Sequence, residues 1–284
     1  MELRDAARAA DGHELAVTRF PAEGRAWATL LVAGAMGVRQ DFYEPLARHL
    51  AEHGVHVLTF DYRGMGASRG DGLRRIEADI TTWADCDLDA MLREARSMDP
   101  GLPAFAIGHS LGGQLFGAVA ETARLKAFVT VTAGSGWYRL NERMPIQVRI
   151  FWFVAIPALT TLFGYFPGRR LGMVGDLPAG VAWQWRRWAT HPDYLLCEGE
   201  AIRRRFDAVT IPVLGYSFTD DAMLTQAAVD RMHGYYRNAR VERRHVAPSG
   251  AGRERIGHLG YFQPASGDKL WQDTLDWLRG KAAA

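Results

Sequence analysis

Cysteine is nearly absent from this chain: 284 residues contain only Cys86 and Cys197. Two thiols close at most one bridge, so a disulfide scaffold is excluded. Neither lies in a CxxC pair or beside histidines at ligand spacing, so no metal site is expected. A reducing compartment is the simpler reading. Net charge is almost missing too, since 34 basic against 32 acidic side chains leave +2. That balance argues against nucleic acid as a partner. The opening segment MELRDAARAADGHEL carries charge throughout. It lacks the apolar stretch of a secretory signal, so a cytoplasmic location is expected. One apolar run, the 19 residues from Ile150 to Gly168, has no charged side chain.

What remains is an ordinary globular composition, 48% hydrophobic and 23% charged, which excludes disorder and fibrous repeats. A chain of this size buries roughly 70–75% of its unfolded surface, so its core needs no staples. Asp11-Gly12 marks a hairpin into a strand at 14–20. Short apolar runs at 28–33, 55–60, 104–107 and 127–133 read as buried strands. Helical spacing recurs between them: Phe42, Leu46 and Leu50, then Ile80 to Leu92, then a helix expected over 111–124. The alternation breaks at Gly134 and returns with a strand at 211–216, a helix at 222–232, a strand at 240–246 and a helix at 268–279. Alternating strands and helices imply a mainly parallel sheet. The expected architecture is α/β, with residues 1–136 and 206–284 forming one core and 137–205 inserted into it.

Gly108-His109-Ser110-Leu111-Gly112 falls between a strand and a helix. In that setting G-x-S-x-G is a nucleophile elbow, a tight turn that lifts the Ser110 hydroxyl out of the sheet. The glycines remove side chains that would clash, and the helix start brings backbone N–H groups near developing negative charge. A serine hydroxyl attacks only when a base takes its proton and an acid orients that base. The chain order on such a sheet is Ser, Asp or Glu, then His. Asp220-Asp221 follows the 211–216 strand, and His258 lies in a glycine-flanked loop after the 240–246 strand. Asp221 is the favoured acid, with Asp220 read as a cap for the following helix. Among the other histidines, His49, His53 and His56 read as structural. His109 must point away from Ser110 at the turn.

These motifs resemble the α/β-hydrolase superfamily, and within it bacterial serine hydrolases near the serine aminopeptidase and monoacylglycerol-lipase-like group. The residues that carry the likeness are Val32-Ala-Gly-Ala-Met-Gly37, Phe60-Asp-Tyr-Arg-Gly-Met-Gly-Ala-Ser68, Gly108-His-Ser-Leu-Gly-Gly113, Asp220-Asp221 and Gly257-His258. The resemblance covers about 27–136 and 206–279. It implies an eight-stranded, mostly parallel sheet with helices on both faces and an inserted helical lid. It also implies an oxyanion hole built from the backbone N–H groups of Leu111 and Ala35, with Met36 a neighbouring candidate. Relatives carry His-Gly where this chain has Ala33-Gly34. Asp61 and Arg63 are read as supports for neighbouring loops.

The inserted segment 137–205 holds five of nine tryptophans and ten arginines against five acids. A single membrane crossing at 150–168 would part Ser110 from Asp221 and His258, so a simple span is excluded. Two packings remain: a buried cap helix, or a helix lying peripherally in a membrane interface. Trp185 and Trp188, three apart, read as anchors of a cap helix more than as site residues. Arg186-Arg187 and Arg203-Arg204-Arg205 read as solvated.

The expected chemistry is hydrolysis of a carboxylic ester or thioester with a hydrophobic acyl part, through Ser110, His258 and Asp221, with no cofactor. An acyltransferase using the same triad, an aminopeptidase, and a triad-bearing receptor with negligible turnover are the alternatives.

Overall fold

A computed structural model describes residues 2–140, 145–172 and 174–283. Eight strands form one sheet: β1 (Leu3–Arg8), β2 (Glu14–Phe20), β3 (Ala28–Ala33), β4 (Val55–Phe60), β5 (Ala104–His109), β6 (Ala127–Val131), β7 (Val213–Phe218) and β8 (Val241–Val246). Their spatial order is β1-β2-β4-β3-β5-β6-β7-β8. Only β2 runs against its neighbours; every pairing from β4 to β8 is parallel.

The central strands β3 to β7 are short and apolar because both sheet faces are covered there. Alternate side chains leave β3 on opposite sides, Leu30 and Val32 to one and Leu31 and Ala33 to the other. Helices α1 (Glu44–Glu52) and α8 (Gln272–Ala282) cover the first face with Leu46, Leu50, Leu275 and Leu278. Helix α2 (Asp89–Ser97) and the short α3 (Leu111–Leu115) cover the second. Gly54, left-handed at φ 83°, stops the chain beyond α1 as its position in the sequence implies.

Residues 137–205 bring three helices to the second face: α4 (Ile146–Phe163), α5 (Ala179–Thr190) and α6 (Glu200–Ala208). They build no separate core. Trp152, Ile156, Val181, Trp188 and Phe206 join the same buried cluster as Leu31 and Leu58. Gln184 of α5 pins them to the sheet domain. Its buried carbonyl oxygen accepts from the backbone N–H groups of Ile80 and Thr81, and its amide donates to Thr81 Oγ1 at 2.7 Å.

Two helices depart from expectation. The helix expected over 111–124 ends at Leu115 and gives way to two single turns of tighter helix, Phe116–Ala118 and Ala120–Arg124. Gly117 lies there against the ring of Phe206, so close that a Cβ would sit 2.1 Å from it. The helix after β7, α7 (Gln226–His233), starts four residues later than its apolar pattern suggests. Thr225 caps it, not Asp220.

Arg203–Arg205 and Arg186–Arg187 are less free than a solvated face. Arg205 bonds Asp85 and, at 2.8 Å, the Ala118 carbonyl, and Arg186 donates to the Trp152 carbonyl at 2.8 Å.

Candidate active site

Ser110 stands where β5 meets α3, with φ 48° and ψ −112°. A non-glycine residue held there costs on the order of 1–3 kcal/mol. Hydrogen bonds fix it: its N–H donates to the Val131 carbonyl at 2.9 Å, and its carbonyl accepts from Gln114 N–H at 3.0 Å. The flanking glycines are sterically required. A Cβ on Gly108 would lie 2.5 Å from Gly113, and one on Gly112 would lie 2.3 Å from the Ala33 carbonyl oxygen.

His258 and Asp221 come from the loops beyond β8 and β7 and meet each other, with His258 on the cavity that Ser110 also lines. His258 Nδ1 is 2.8 Å from Asp221 Oδ2, and both side chains are buried. The carboxylate can only accept, so Nδ1 carries the proton and Nε2 is left as the basic nitrogen. Asp221 is itself held through Oδ1, which accepts from the N–H groups of Met223 and Leu224 at 2.7 and 3.1 Å. This turn at the carboxylate delays the start of α7. Asp220 does different work: its Oδ2 accepts from Ile256 N–H at 2.8 Å, steadying the loop that carries His258.

The Ala35 amide corrects the expectation from the sequence. Its N–H donates to the Tyr43 hydroxyl at 2.8 Å in a buried setting, so it is already satisfied. Ala35, Met36 and Leu111 all line the cavity in front of Ser110; what sets Ala35 apart is that its amide is bonded to Tyr43. Gly37 closes this loop in a left-handed conformation, φ 73°, and packs backbone to backbone on Gly175.

His109 is a participant the sequence did not disclose. It does point away from the serine, and its ring is wholly buried. Nδ1 lies 2.8 Å from the Tyr43 hydroxyl and Nε2 lies 3.0 Å from the His258 carbonyl. Because the His258 carbonyl can only accept, Nε2 of the neutral ring carries the proton, which leaves Nδ1 to accept from the Tyr43 O–H. Burial, and secondarily the neighbouring His258, push the His109 pKa well below the ordinary imidazole value. Desolvation likewise raises Tyr43 far above an ordinary phenol. Both therefore stay neutral, as this chain of bonds requires. Thr132, also at positive φ, adds its hydroxyl to the same His258 carbonyl at 3.3 Å. The glycine-rich loop of 34–37 and the histidine loop are thereby tied together through the sheet.

Ser110 and His258 open onto a cavity of about 570 Å³. Its walls come from the sheet loops, with Met36, Leu111 and Met223, and from the stretch between β6 and β7, with Trp137, Phe151, Trp152 and Trp185. No Asp, Glu, Lys or Arg lines it among the described residues. Trp185 packs edge-on against Trp152 with ring centres 4.7 Å apart. Trp185 and Trp188, two of the three tryptophans of α5, divide the tasks, Trp185 lining the cavity and Trp188 buried with its indole N–H bonded to Glu198. Asp61 and Arg63 are supports, as expected. Asp61 accepts from Gln40 and Ala67 N–H groups, and Arg63 pairs with Asp87 and Asp11. Among the described residues no cluster of His, Cys, Asp and Glu could hold a metal ion.

Comparison with known proteins places this geometry. The family model described as the alpha/beta hydrolase family matches residues 21–266. Human monoglyceride lipase is 31% identical over 109 residues, 37% of this chain and 34% of the lipase. The aligned part therefore spans about a third of that relative's length. Among solved structures, DcsB in complex with a substrate analogue superposes with a TM-score of 0.67 at 17% identity over 100% of both chains. A thermostable carboxyl esterase from Bacillus coagulans, in complex with glycerol, gives 0.66 at 14% identity over 99% of both. At such identities the likeness is one of fold.

Proposed function

The chain belongs to the alpha/beta hydrolase family, and from that premise we propose that it is a serine esterase for a carboxylic ester with a hydrophobic acyl part. One observation carries the reading: a serine in a strained elbow and a histidine bonded to a buried carboxylate share the wall of an uncharged, aromatic-lined cavity.

In this mechanism His258 Nε2 takes the Ser110 proton as the hydroxyl oxygen attacks the ester carbonyl. Asp221 keeps the imidazole in the required tautomer and stabilises the imidazolium that forms. The tetrahedral oxyanion is held by the N–H groups of Leu111 and Met36, since Ala35 is committed to Tyr43. Each such donor typically supplies about 3–4 kcal/mol. His258 returns its proton to the leaving alcohol, and water, activated by the same nitrogen, then cleaves the acyl-enzyme. The aminopeptidase alternative would need a carboxylate to receive the substrate's ammonium group, and among the described residues none lines the cavity. A phosphorylated leaving group would want cations there, and none lines it among the described residues either, which favours a plain ester over a nucleotide thioester. Human monoglyceride lipase and the Bacillus coagulans carboxyl esterase are ester hydrolases by name, which supports the class of reaction.

Initial rates on p-nitrophenyl esters of graded acyl length, with Ser110→Ala alongside, test the proposal. Wild type is expected to turn over, with Ser110→Ala lower by about three or more orders of magnitude. Equal rates in the two proteins would overturn the assignment of the nucleophile.

A further inference from the structure

We infer that the outward face of α4 docks on an anionic lipid surface. Of the 18 residues in this helix, only Trp152, Ile156 and Thr160 are buried. Its exposed side presents Ile146, Ile150, Phe153, Val154 and Leu162, with Ile150 54% and Leu162 73% exposed. A helix resting on a soluble domain ordinarily turns polar residues outward. Here both faces are apolar, and the apolar outer ridge lies in a segment without a single acidic residue from Arg143 to Gly175.

Cations frame that ridge. Arg149 is exposed in its first half, and Arg169 and Arg170 are exposed just beyond its end. Arg170 also sits over the Phe163 ring at 6.0 Å. Arg74 reaches the same end from the sheet domain, donating to the Phe163 carbonyl at 2.7 Å. Apolar side chains flanked by arginines suit an interfacial position, the ridge among acyl chains and the guanidinium groups at headgroup level. A second copy of the chain is a poorer partner. Pairing the ridges, in either direction, would bring the arginine-bearing ends of both copies together. A membrane crossing is excluded because the sheet is continuous across the two sides of α4, with β6 beside β7.

The opposite face of the same helix, with Val148, Phe151 and Trp152, lines the cavity of Ser110. One helix thus separates lipid from active site, and a docked protein would receive its acyl chain from the lipid phase. That consequence rests on the esterase reading, whereas the docking itself does not.

Flotation of the full chain with vesicles of phosphatidylcholine and of phosphatidylglycerol tests the inference, with rates on a soluble short-chain p-nitrophenyl ester measured in parallel. Wild type is expected to float with phosphatidylglycerol vesicles. Ile150→Glu/Leu162→Glu should lose that binding by about tenfold or more, and Arg169→Glu/Arg170→Glu should lose the preference for the anionic lipid. Neither pair lines the cavity, so rates on the soluble ester should be unchanged, which also shows the variants folded. Absence of wild-type flotation overturns the docking surface, as does equal flotation of wild type and the Ile150→Glu/Leu162→Glu variant. Dimerisation abolished by Ile150→Glu/Leu162→Glu, without vesicle binding, would overturn it in favour of a self-interface. Flotation without ester turnover would leave docking standing and remove the esterase reading.

Discussion

The Tyr43 hydroxyl joins two loops that lie far apart in the chain. It accepts from Ala35 and donates to His109, which holds the His258 carbonyl. Tyr43→Phe would leave a buried N–H and a buried imidazole nitrogen without partners. The expected cost is about 1–3 kcal/mol per orphaned group, read from urea unfolding, together with a lower kcat as both loops loosen. An unchanged unfolding midpoint would contradict the network. The two aspartates separate in the same way. Asp221→Asn should cost roughly four orders of magnitude in kcat, because the amide favours the wrong imidazole tautomer. Asp220→Asn keeps one acceptor for Ile256 N–H and should retain most activity. At this scale chain order singled out Ser110, Asp221 and His258, and the structure pairs His258 with Asp221 and puts His258 and Ser110 on one cavity. It did not disclose the use of the Ala35 amide, because a backbone donor leaves no residue signature and its acceptor lies eight positions away. His109 was legible only as a side chain turned from the serine.

Strands proved more legible than helices, for a physical reason. The central strands, β3 to β7, are short apolar runs buried along almost their whole length, so composition alone marks them. The helix expected over 111–124 carries a good apolar pattern but three glycines, Gly112, Gly113 and Gly117, and α6 docks its Phe206 against the last of them. Tertiary packing there overrides local preference. The late start of α7 has a similar origin, since Asp221 is drawn into the site and captures the amides that would have opened the helix. Residues 137–205 were legible as tryptophan-rich and basic, yet nothing in their spacing separated the role of Trp185 from that of Trp188. Trp185→Ala, which removes an indole from the cavity wall, should move the preferred acyl length upward in the p-nitrophenyl series. An optimum that stays in place would mean that the acyl chain lies elsewhere.

Over the whole molecule, acid stability should report the buried histidines. Burial depresses both His109 and His233 in the folded state, while in the unfolded chain each titrates near 6.5. Above that pH both states are neutral and neither histidine affects stability. As pH falls below it, the unfolded chain gains protons that the folded protein refuses, so stability declines. The slope is about 1.4 kcal/mol per pH unit for each such histidine. His109→Gln should remove one proton from that slope in urea titrations between the unfolded and folded values, and an unaltered slope would contradict the neutral assignment. Ser110 and His258 line one cavity, His258 is bonded to Asp221 behind it, and the central claim is that this serine attacks. Its most direct test is reaction with a fluorophosphonate followed by peptide mass spectrometry. The account predicts one adduct per chain, on Ser110, and much slower labelling in His258→Ala. Labelling at another residue, or at Ser110 with equal speed in His258→Ala, would contradict it.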